Sequence, residues 1–159
     1  MFTAEQKRAL IDALRELPTQ LEALVVDLTD SQLESQFITG EWSVAQNVHH
    51  LADSHMNAYI RTKLLLTQDN PTVIPYDQDV WATLPDVFGT RVELSLAIIR
   101  GLHARWTELF EQLSDEQFAR TGMHPEYGVI TVQGQLETYA EHGREHLDQI
   151  TRTLAAQPA

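Results

Sequence analysis

Cysteine is missing altogether from the 159 residues. That excludes disulfides, a thiol nucleophile and thiolate metal ligands, so any metal must be held through nitrogen or oxygen. Thiol chemistry would need its sulfur from a substrate. Basic residues are scarce, with 11 Lys and Arg against 23 Asp and Glu, for a net charge of −12. The few cations form no cluster. This argues against a nucleic-acid partner, whose binding draws on phosphate neutralisation, and against an anionic membrane surface. No apolar run approaches the ~20 residues that span a bilayer. The first residues, MFTAEQKRALIDAL, carry charge throughout, unlike a signal peptide. These absences predict a soluble, cytoplasmic protein. What is present is an ordinary globular balance, 43% hydrophobic and 21% charged, in a length that suits a single domain over residues 1–159.

Helical periodicity fills most of the chain. Leu10, Leu14, Leu17, Leu21, Leu24 and Leu28 recur at three- and four-residue steps, and the stripe keeps its register across Pro18, which predicts a kink rather than an end. Further helices are expected from about Ser43 to Leu66, Thr90 to Leu113 and Thr131 to Leu154. The third buries Val92, Leu96, Ile99, Trp106, Leu109 and Leu113, and the fourth Val132, Leu136, Ala140, Gly143, Leu147, Ile150 and Leu154. Thr3 with Gln6, Ser43 with Gln46, and Thr90 with Glu93 each fit a capping box. Residues 67–89 hold three prolines and are apolar enough to pack over one end of the bundle, and residues 120–130 have room for a short hairpin. Two strings, LTDSQLESQF (28–37) and LSDEQFART (113–121), echo each other, either as a duplicated helix pair or as two capped short turns. The fold class predicted is all-α, a four-helix bundle of up-and-down type with long inter-helix loops that leave room for long crossovers.

Three of the seven histidines crowd into VHHLADSH as His49, His50 and His55. Three histidines suit a zinc-type site, yet helical residues advance about 100° each, so His49 and His50 diverge by about 100° and His50 and His55 by about 140°. That stretch supplies at most one ligand. His142 and His146 in EHGREH lie one turn apart, where two imidazoles can converge on one ion. The same string matches the H-x-x-E-H metalloprotease signature, but Glu141 and Glu145 project away from the apolar stripe and read as solvated. On the second helix, His55 falls on the core line Val44, Val48, Leu51, Ala58 and Thr62, and His49 sides with Ala45, Ala52, Met56 and Ile60. His50 lies among Ser43, Gln46, Asp53, Ser54, Asn57 and Arg61, which is either a solvated face or the wall of a polar cleft.

GEWSVAQNVHHLADSHMNAYIRTKLLLT, then IPYDQDVW, then HPEYGVITVQGQLETYAEHGREHLDQI together resemble the YfiT-like branch of the DinB superfamily, in order and over about residues 28–150. The resemblance implies a four-helix bundle holding one divalent metal ion, zinc or nickel, on three histidines, one from the second helix and two from the last. Carried onto this chain, these are His50, His142 and His146. It also implies a homodimer and a small-molecule substrate. The first functional expectation is a metal-dependent hydrolase that activates water. The alternative is a metal-dependent S-transferase of a low-molecular-weight thiol such as bacillithiol, mycothiol or glutathione. A third is a non-enzymatic metal-binding, stress-response module. Asp53 and Asn57, one and two turns beyond His50, are candidate orienting groups, and His124 is a candidate general acid or substrate contact. Tyr59 is expected to pack.

Overall fold

A proline in mid-helix does not stop the first long element. In the computed structural model, which describes residues 2–158, α1 (Ala4–Val25) runs through Pro18 and buries Ile11, Leu14, Leu17, Leu21 and Val25 on one side. It is followed by short α2 (Asp30–Glu34), then α3 (Val44–Thr67), the single turn α4 (Gln78–Trp81) and α5 (Val92–Gln112). A second single turn, α6 (Asp115–Phe118), leads into an antiparallel hairpin, β1 (Thr121–His124) and β2 (Gly128–Thr131), and α7 (Val132–Ala155) closes the chain. The hairpin expected within residues 120–130 is present. The two strings that echo each other are α2 and α6, each opened by a capping box, Thr29 with Gln32 and Ser114 with Gln117.

Thr3 and Ser43 cap their helices as their spacing predicts, but Thr90 does not. The helix begins one residue later, with Arg91 at the cap position and no side-chain cap. The Thr90 carbonyl instead accepts from His49 Nε2 at 3.2 Å, and Glu93 pairs with Arg91 at 3.5 Å. A tertiary contact and an ion pair have displaced the local capping box.

The four long helices form a bundle in which α1 and α3 each pack against both α5 and α7. Sequence neighbours α1/α3 and α5/α7 therefore face each other across diagonals. Arg15 meets Glu111 while Glu22 meets Arg100, so α1 and α5 are antiparallel. His49 meets Ser95 and His55 meets His103, so α3 and α5 are parallel. Asn47 meets His146 and His55 meets His142, so α7 runs against α3. The order is up, down, down, up, the form of the bundle in which a long crossover joins two parallel helices.

Parallel neighbours need a connection as long as a helix, and residues 68–91 supply it. This strap runs back along α3, held by Arg61 Nη2 donating to the Ile74 carbonyl at 2.9 Å and by Gln46 Nε2 donating to the Ala82 carbonyl at 3.0 Å. At its start, the main chain of Pro71 and Val73 bonds both sides of Met123 on the hairpin. Val73, Ala82 and Val87 are buried beneath it. The segment thus covers the length of a helix rather than one end of the bundle.

Two apolar clusters fill the interior. One gathers Ile11, Leu14, Ala58, Leu65, Trp106, Phe110 and Leu136, and the other Leu21, Val25, Val48, Leu51, Leu96, Ile99 and Ile150. Between them, on each of α3, α5 and α7, come histidines.

Candidate metal centre

The start of α3 positions the centre. Ser43 and Gln46 close a reciprocal capping box, which satisfies donors that a helix start otherwise leaves orphaned. The polar line on this helix is not a solvated face, for Ser43, Gln46, His50 and Ser54 are all buried, and of its members Ser54 and Arg61 line a cleft. Trp42, immediately before the cap, sets its ring 4.8 Å from that of His50 and 6.2 Å from that of His146. His49 packs as expected and bonds Ser95 Oγ at 2.8 Å. The expected core line also holds, since Val44, Val48, Leu51, His55, Ala58 and Thr62 are all fully buried.

His50 reaches across to α7. Its Nε2 lies 3.2 Å from His142 Nε2, which in turn lies 3.1 Å from His146 Nε2. One ligand atom from each residue falls within 4.8 Å of the others, so the three could hold a metal ion. Their protonation suits that role. Burial, reinforced by mutual repulsion, lowers His50 and His142 to about 3, and burial lowers His146 to about 4. All three are neutral at physiological pH, with lone pairs available.

One tautomer can be assigned from the contacts. Asn47 Nδ2 donates to the Ser43 carbonyl at 2.9 Å, which turns its Oδ1 toward His146 Nδ1 at 2.7 Å. An amide oxygen only accepts, so His146 is protonated on Nδ1 and carries its lone pair on Nε2. The donor set, three neutral imidazoles with no carboxylate or thiolate, fits a borderline divalent ion such as zinc or nickel better than magnesium or calcium.

A cleft of about 560 Å³ opens beside His142, with Ser54, Arg61, Tyr76, His124 and Tyr139 on its walls. His124 is buried, and its Nδ1 accepts the Glu126 N–H at 3.2 Å, which leaves the ring proton on Nε2. Asp53 and Asn57 are half-buried, and the Asn57 amide donates to the Asp53 main-chain carbonyl at 2.9 Å. Burial and the nearby Asp86 raise the Asp53 carboxyl above its ordinary range. No hydrogen bond joins either side chain to the three histidines among the described residues. Tyr59 packs edge-on against Trp106, and Glu141 and Glu145 are exposed, Glu141 in an ion pair with Arg144.

Two residues near the centre escape a reading of single helices. Asn47 stands three residues before His50 on the same helix and looks like any polar residue near a helix start. His103 leaves a clearer trace, because the apolar stripe Val92, Leu96, Ile99, Trp106 steps over position 103, where the histidine sits buried.

The sequence pattern of the DinB superfamily matches residues 13–150. The chain belongs to the DinB superfamily. Among DinB-superfamily relatives, YfiT of Bacillus subtilis (strain 168) is 45% identical over 151 residues, covering 94% of this chain and 85% of its own. A protein of Oceanobacillus iheyensis is 45% identical over 141 residues, 89% of this chain and 81% of its own. Both carry "metal-dependent hydrolase" in their names. A solved structure of the Bacillus subtilis YfiT superposes with a TM-score of 0.92 at 43% identity, over 96% of this chain and 88% of that one. It is described as "a probable metal-dependent hydrolase with an unusual four-helix bundle topology". The up, down, down, up order belongs to a YfiT-like bundle.

Proposed function

We propose that this chain is a metal-dependent hydrolase of a small molecule, with one divalent ion, zinc or nickel, held by His50, His142 and His146. The observation that carries this reading is the convergence of three neutral imidazoles from two helices within 4.8 Å. The names of the DinB relatives point the same way. When bound, such an ion supplies Lewis acidity and lets water ionise near neutral pH. Three protein ligands leave a position open, as catalytic zinc sites do.

The protein's own groups divide the remaining work. Asn47 holds His146 in the tautomer a ligand needs. Trp42 shields His50 and His146 on one side, while the cleft beside His142 is where substrate enters. There Arg61, Tyr76 and Tyr139 offer donors to orient it, and His124, with its proton on Nε2, can protonate a leaving group. Asp53 and Asn57 stay in the proposal as orienting groups for the nucleophile, which turnover of their alanine variants tests. The proposal extends to a cytoplasmic homodimer, read by fractionation and sedimentation.

Metal analysis of the purified protein under zinc- and nickel-replete conditions tests the centre. Wild type should carry about one ion per chain, and the variant with alanine at His50, His142 and His146 none. Retention of the ion by that variant would sink the assignment. Turnover of an electrophilic ester with and without added thiol then separates hydrolysis from the thiol S-transferase reading, which uses the same trio. Thiol-independent release of product supports the hydrolase, and strict dependence on thiol supports the transferase.

A further inference from the structure

Pro18 has no N–H, so the carbonyl of Leu14, four residues earlier in α1, loses its helical donor. That carbonyl does not go unpaired. His103 Nδ1 on α5 lies 2.6 Å from it. The far side of the same ring, Nε2, lies 2.8 Å from His55 Nδ1 on α3, and His55 Nε2 lies 3.1 Å from His142 Nδ1 on α7. The rings of His55 and His103 are only 12° apart in plane with centroids 4.9 Å apart. They meet edge to edge, as an N–H···N bond requires, rather than face to face.

We infer that Leu14, His103 and His55 form a relay that sets the tautomer of His142 and keeps its Nε2 as a lone pair facing His50 and His146. A carbonyl only accepts, so His103 must carry its proton on Nδ1. His55 and His103 are 0% and 1% exposed, with no carboxylate among their hydrogen-bond partners, and such rings are neutral. A neutral ring has one donor and one acceptor. The His103 Nε2 lone pair therefore takes its proton from His55 Nδ1, and the His55 Nε2 lone pair takes its own from His142 Nδ1. One nitrogen of His142 is left, and it is the one 3.2 Å from His50 and 3.1 Å from His146. The chain ends on a group that cannot donate, so it points one way and conducts no proton out. Trp106 and Tyr139 stand edge-on to the His55 ring at 6.0 and 5.2 Å and hold its plane. His55 and His103 are positioning residues, and this role rests on the reading of His142 as a ligand.

Nitrogen-15 NMR of histidine rings in the full chain, with and without zinc, tests the relay. His103, His55 and His142 should each read as the Nδ1–H tautomer in both states. A proton on Nε2 of metal-free His142 overturns the proposal without any variant. His103→Phe should leave His55 and His142 in mixed tautomers and weaken zinc binding by about 10- to 100-fold, the usual loss when a ligand's outer partner goes. His103→Gln, which keeps an acceptor, should recover part of it. Unchanged tautomers and affinity in His103→Phe overturn the relay. His142→Ala binding zinc as wild type would instead remove the ligand reading, leaving the metal-free tautomers to judge the relay alone.

Discussion

At the scale of single residues, the centre depends on which nitrogen of each ring holds its proton. Asn47 settles this for His146 because its own amide is pinned by the Ser43 carbonyl. Asn47→Ala should therefore weaken zinc binding by about 10- to 100-fold, read by competition against a chromophoric chelator. Asn57→Ala is the internal control, since that amide bonds its own helix at Asp53, and its zinc affinity should stay at wild type. Equal losses in the two variants would argue for a general disturbance of α3. The pairing of His142 with His146 on α7 could be read from sequence, because i and i+4 share a helix face. The role of Asn47 could not, since it acts on a histidine 99 positions away.

At the scale of elements, stripes at three- and four-residue steps located all four long helices, because a buried face leaves that period in the sequence. The start of α5 moved from Thr90 because a capping box is a local preference worth only about 1 kcal/mol. His49 competes for the same turn. How elements dock depends on close approaches instead. A Cβ on Gly122 would meet the Pro71 carbonyl at 2.7 Å and Leu65 Cδ2 at 2.5 Å, where the hairpin meets the strap and α3. Gly122→Ala should cost about 1–3 kcal/mol, since a backbone oxygen cannot swing aside. At Gly143, between α7 and α1, the atoms nearest a Cβ all belong to the Leu17 side chain, with Cδ2 at 2.6 Å and Cδ1 at 3.2 Å. Alanine there also gains about 1 kcal/mol of helix propensity, so Gly143→Ala should be close to neutral. Urea titration of both variants checks this ranking, and the reverse order would contradict it.

At the scale of the whole molecule, histidines separate the two apolar clusters, and all seven have their pKa held below the ordinary value, chiefly by burial. The unfolded chain protonates these rings near pH 6.5 while the fold resists, so the unfolded state binds more protons and stability falls as pH drops. For His146 the loss continues to about 4, and for His50 and His142 to about 3. Each such proton steepens the slope by about 1.4 kcal/mol per pH unit. Above about pH 7 these groups add no slope. The urea midpoint of chelator-treated protein should hold level from about pH 8 to 7 and drop sharply by about pH 5. A flat midpoint across that range would falsify the neutral histidine layer. The sequence alone determined the four helices, the absence of thiol ligands and the His142–His146 pair, because periodicity and composition are properties of neighbours along the chain. The path of the crossing strap and the diagonal connections were decided only in three dimensions, and the meeting of His50 with α7, which the family resemblance implied, is one that helical periodicity could not supply. Each depends on which helix faces which, a matter of packing between segments up to a hundred residues apart that no local pattern records.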